Sequence, residues 1–139
     1  MIPNYDLEAI PIIDQLSKDF GWNLQHAENG GEYYVESTGY WLDGYDHEKG
    51  IAVEIDEPWH FQKGVLLERY RERQKLLEGA LGCTFYRVYF NKRTGSTILY
   101  YTPECRNWRY KEGQQLSIEI GKKKNGTKTY SLYGISKKS

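Results

Sequence analysis

Apolar and polar residues alternate cleanly in the stretch IAVEID, at residues 51–56. Ile51, Val53 and Ile55 fall on one side of the strand this predicts, and Ala52, Glu54 and Asp56 on the other. Pro58 ends it, because proline cannot donate to a ladder. Residues 40–45 read as the first arm of a hairpin that turns over residues 46–50 and returns as this strand. A turn centred near Glu48 sets Asp43 roughly opposite Val53, about 4.8 Å away across the pair. An earlier hairpin is predicted between residues 22–26 and 32–35, with Asn29-Gly30 as its tight-turn signal. In front of these, Ile10, Ile13, Leu16 and Phe20 recur near helical spacing. Asp6 suits the cap of that helix and Gly21 its stop, while Pro11 suggests a start at Ile12.

A second helix is expected over residues 64–80, with an apolar stripe of Leu66, Tyr70, Leu77 and Leu81. Residues 84–89 (TFYRVY) form a β-branched and aromatic strand. A strand, a helix and a second strand in that order make a right-handed crossover between parallel strands. Residues 97–101 suit a strand or a helix end. Residues 116–120 and 129–133 suggest a last hairpin around Lys124-Asn125-Gly126. The fold class is therefore α/β, a mixed sheet flanked by helices. The 139 residues fit one domain with a sizeable core.

No apolar run approaches the roughly 18 residues of a membrane span, so no membrane partner is expected. The N-terminal run lacks the basic start and apolar block of a secretory signal. Cys83 and Cys105 are the only cysteines and lack metal-knuckle spacing. A reduced, intracellular (cytoplasmic) setting is the natural default.

Charge changes the picture more. The chain is formally neutral, yet residues 1–60 hold 13 Asp/Glu against 2 Lys/Arg, and residues 61–139 hold 6 against 17. An acidic site and a separate basic surface fit that asymmetry, as does plain attraction between two halves.

The acids gather around the strand at residues 51–56, where burial is costly unless something compensates them. Mg²⁺ or Mn²⁺ would do so, since hard cations favour one or two carboxylates completed by water and phosphate. Asp43, eleven residues before Glu54, delivers such a pair across a hairpin, and Asp56 adds a third acid. His60, just beyond the strand, suits proton transfer near neutral pH or a structural role. Glu32 follows Gly30-Gly31 and reads either as a solvated turn residue or as the rim of the same patch.

At these residues the chain resembles the PD-(D/E)xK nuclease superfamily, in particular its very-short-patch-repair (Vsr)-like branch with the EDxHD homing endonucleases. The segments that carry the resemblance are QHAENGGE, YWLDGYD, IAVEIDEPWHF and RERQKLLEGALGCTFYRV, spread over about residues 22–90. The resemblance implies a restriction-endonuclease-like domain at residues 1–105, and the lysines and hairpin pattern of residues 106–139 read as a basic β-hairpin appendage. It implies a metal-dependent endonuclease acting on DNA, encoded by a host, a phage or a mobile element, and working as a monomer or homodimer. Asp43 matches the metal-binding aspartate, Glu54 the strand acid, His60 the histidine beyond the strand and Glu32 an extra glutamate. Asp56 stands where many members carry a lysine, and is taken as a third metal ligand.

Phosphate contacts would come from Arg69 and Arg73 on the second helix and from Lys122, Lys123, Lys124 and Lys128 in the tail. The main alternative is a catalytically inactive nucleic-acid-binding or structural protein on a nuclease fold. Structural calcium binding is a further one, although the loop from Asp43 to Asp56 lacks the EF-hand pattern.

Overall fold

The computed structural model describes residues 7–110 in full and the backbone of 117–123 and 126–131. Helix α1 (Ala9–Phe20) buries Ala9, Ile10, Ile13 and Leu16. It begins three residues earlier than Pro11 suggests, because a proline in the first turn replaces an N–H that has no helical partner. Asp6 lies outside the described residues.

The acidic hairpin is split. Residues 40–45 break at Asp43 into strand β2 (Tyr40–Leu42) and strand β3 (Gly44–Asp46). β2 pairs antiparallel with β1 (Tyr33–Val35), whereas β3 pairs antiparallel with β4 (Ile51–Asp56). The expected hairpin between residues 22–26 and 32–35 does not form. Residue Gln25 bridges to Tyr45 instead. Its side-chain Nε2 donates to the carbonyls of Gly30 (3.2 Å) and Gly31 (2.8 Å) and folds that loop back on itself.

Asp46 pins the β3–β4 turn. One carboxylate oxygen accepts the N–H groups of Glu48 and Lys49, and the other accepts that of Asn23. Burial raises its pKa, but these three backbone donors outweigh burial and hold it below the usual range.

After β4 come a 3₁₀ turn (Pro58–His60) and a small hairpin of β5 (Phe61–Gln62) and β6 (Val65–Leu66). Helix α2 (Glu68–Leu81) therefore starts later than its apolar stripe suggests. It leads into β7 (Thr84–Asn91), which runs parallel to β4, as the crossover reading requires. β8 (Ser96–Tyr101) adds antiparallel, giving a sheet of order β3-β4-β7-β8. The chain is thus a mixed α/β fold with two helices against a mixed sheet. Further on, β9 (Ser117–Lys123) and β10 (Gly126–Ser131) pair antiparallel.

The sheet carries a core on each face. Val53, Ile55, Val88 and Leu99 pack with α1 and Leu24. Ala52, Phe85, Tyr89, Ile98 and Tyr100 pack with Leu77 of α2, and Trp108 and Tyr110 close against this second core. The alternation of β4 places Glu54 and Asp56 on the second face with Ala52. Among the described residues no helix is long and apolar enough to cross a membrane.

A candidate active site at the end of β4

Asp43 occupies the break between β2 and β3. Gly44 is paired with Val53, so Asp43 falls beside Glu54, one residue along from the expected register. Its Oδ2 accepts the backbone N–H of Ile55 at 2.8 Å, which fixes the carboxylate against β4. Gly44 packs closely under α1. A Cβ there would lie 3.2 Å from Cγ2 of Ile13 on α1.

Glu54 is buried, and it lines the same cleft as Asp43. Burial first, then the Asp43 charge, pushes its pKa well above the ordinary value, while Arg73 and Arg87 pull the other way. Glu32 joins the same field: burial and then Asp43 raise its pKa, and Arg73 lowers it.

Asp56 has different partners from those the sequence suggests. Arg87 of β7 grips it with two parallel bonds of 2.8 Å, from Nε to Oδ2 and from Nη2 to Oδ1. The Tyr100 hydroxyl donates to Oδ2, and Nδ1 of His60 lies 2.8 Å from Oδ1. A carboxylate offers about four acceptor positions, and all are taken. Asp56 is therefore not available as a cation ligand, in contrast to its expected place beside Asp43 and Glu54. Burial raises its pKa, but Arg87 first, then His60 and Tyr100, bring it down to about 2. Gln74 of α2 completes the cage by accepting Nη1 of Arg87 at 3.0 Å.

Arg87, Tyr100 and Gln74 were not picked out from the sequence as site residues. The signal was an arginine inside the apolar strand TFYRVY, since a buried guanidinium demands a carboxylate. Tyr100 falls on the same face of β8 as Ile98, where it reaches Asp56, and the β7–β8 register shift between Arg87 and Val88 brings Tyr101 into the same core.

His60 is held on three sides. Asp56 takes Nδ1, Tyr70 stacks on the ring (centroids 4.3 Å apart, 16° between planes), and Trp59 meets it edge-on at 4.2 Å. With Nδ1–H donated to Asp56, Nε2 carries the free lone pair. His60, Asp43 and Glu54 line one cleft of about 270 Å³, together with Arg73 and Trp59.

Arg73, expected as a phosphate contact, is turned toward this cleft. Its Nη2 donates to the Trp41 carbonyl at 2.6 Å and lies 3.4 Å from Glu54 Oε1, and the guanidinium sits over the Tyr40 ring. Arg69 stays exposed beside Tyr70. Lys122, Lys123 and Lys128 lie on the β9–β10 ribbon by backbone only, and Lys124 falls outside the described residues.

Among the described residues no group of three or more His, Cys, Asp and Glu side chains is arranged to hold a metal ion. A donor set of two does fit one. Asp43 and Glu54 offer two hard oxygen groups with a surplus of negative charge, and the buried Glu54 has only a long contact to a cationic side chain. No family model, curated protein or solved structure matches the chain.

Proposed function

We propose that the protein is a metal-dependent phosphodiester hydrolase that cuts DNA internally, on a Vsr-like core. The observation that carries this reading is the convergence of Asp43 and Glu54 in the cleft that also holds an Asp56-bound His60.

Asp43 and Glu54 would hold Mg²⁺ or Mn²⁺. When bound, the ion supplies Lewis-acid stabilisation of the charge that builds on the scissile phosphate. Asp56 fixes the imidazole so that Nε2 faces its task as a base. Nε2 takes a proton from water as the water oxygen bonds to phosphorus. The bond from phosphorus to the leaving oxygen breaks, and that oxygen gains a proton from solvent. The Asp56–His60 pairing contributes orientation and stabilises the imidazolium that forms. Glu32, half-buried beside Asp43, positions water at the rim. Arg69 and the lysines of the C-terminal ribbon are available for phosphate.

The test is incubation of supercoiled plasmid with the protein and Mg²⁺ or Mn²⁺, beside Asp43→Ala and Glu54→Ala. The expected result is nicking by the parent and none by either variant. Nicking that persists in both variants refutes the site, and no nicking on any substrate favours a binding-only protein.

A further inference from the structure

The β1–β2 ribbon carries two aromatic side chains that the core does not use. Tyr34 is 44% exposed and Trp41 is 51% exposed. They are directly paired across the ribbon, with ring centroids 4.7 Å apart. Their neighbours Val35 and Leu42 are buried, so the ribbon has an inner apolar face and an outer aromatic one.

The register gives this outer face a meaning. Tyr33 is opposite Leu42. The ribbon ends there, and the chain runs on to Glu32 from one strand and Asp43 from the other, each two residues from a ring-bearing position. Two residues of extended chain span about 7 Å. Arg73 ties the ribbon to the acids, since one nitrogen reaches both the Trp41 carbonyl and Glu54.

We propose that Tyr34 and Trp41 form a stacking platform for a nucleobase next to the phosphate bound at Asp43 and Glu54, and that the substrate presents this base unpaired. The inference rests on the phosphodiesterase reading and names the form of nucleic acid the site takes. Two rings offer a face of base size, whereas a stable protein partner needs about 800 Å² on each side. An aromatic face takes a base only when the base is out of its duplex stack.

The experiment measures fluorescence anisotropy of a labelled 12-nucleotide single-stranded DNA and of an abasic strand of the same length and charge, both in EDTA. The parent is expected to bind the base-bearing strand about tenfold more tightly than the abasic one. Trp41→Ala should abolish that preference and leave abasic binding unchanged, and Trp41→Phe should keep most of it. Both positions are exposed, and thermal melts establish that the variants fold. Equal binding of the two strands by the parent, or a preference that survives in the Tyr34→Ala/Trp41→Ala double variant, overturns the proposal. So does a Trp41→Ala effect confined to self-association in sedimentation. Plasmid nicking separates the two readings. A parent that nicks but shows no base preference loses the platform alone. A parent with the preference but no nicking keeps the platform and loses the hydrolase.

Discussion

Asp56 Oδ1 accepts both Nη2 of Arg87 and Nδ1 of His60 at 2.8 Å, so one buried oxygen joins the sheet's internal ion pair to the imidazole of the cleft. In the proposed mechanism this strand acid supports the base rather than the cation. Asp56→Asn separates the two duties. It should leave Arg87 buried without its carboxylate partner and cost about 3–5 kcal/mol in urea unfolding. Where the variant still folds, kcat should fall while divalent-ion affinity stays at the parent's value. An equal loss of ion affinity would mean that Asp56 is a ligand after all.

His60→Ala removes the proposed base and leaves the Asp56–Arg87 pair intact. Plasmid cleavage should slow by about 10²–10⁴-fold, the usual worth of a general base. Ion binding should persist. Cleavage within a few-fold of the parent would assign the proton transfer elsewhere.

Stability against pH follows from two carboxyl groups with opposite shifts. The Asp56 pKa is depressed to about 2 from 3.8. Its contribution is full above pH 4 and is lost as pH falls through about 2. Glu54 is raised well above 4.5. The native state therefore binds the extra proton, and that contribution is full below pH 4.5 and declines as pH rises through the raised value. Without divalent ions, stability should rise from pH 2 to about pH 4 and decline toward neutral pH. Glu54→Gln should remove the neutral-side decline, as denaturant midpoints across that range would show.

The strand at residues 51–56 was legible because its alternation is strict and Pro58 cuts it off. The parallel crossover to β7 was legible because a strand, a helix and a strand admit few topologies. Pairing partners were less so. Asn29-Gly30 signals a turn, yet Gln25 spends its side chain on that turn and its backbone on Tyr45, which leaves residues 33–35 to pair with β2. The site acids were legible as a cluster. Their separate partners were not, since these depend on a guanidinium from β7, a tyrosine from β8 and a one-residue difference in register. The arginine within TFYRVY left a local signal, whereas the approach of Tyr100 and the register are tertiary effects with no local pattern.

Gly44 links the first helix to the acid pair. Gly44→Ala places a methyl 3.2 Å from Ile13 Cγ2 and should cost about 1–3 kcal/mol through overpacking. Ile13→Ala, which removes Cγ2, should recover part of that cost in the same chain, giving a coupling of about 0.5 kcal/mol or more in a double-mutant cycle. Strict additivity would show that the contact is not close.

The convergence of Asp43 and Glu54 is tested most directly by Mn²⁺ titration, followed by calorimetry at pH 8 and pH 5. One ion should bind at pH 8 and bind more weakly at pH 5, since the upward shift of Glu54 sets proton and ion in competition as pH falls, and Asp43→Asn or Glu54→Gln should each abolish binding. Undiminished binding in both variants, or no binding by the parent at pH 8, would contradict the account.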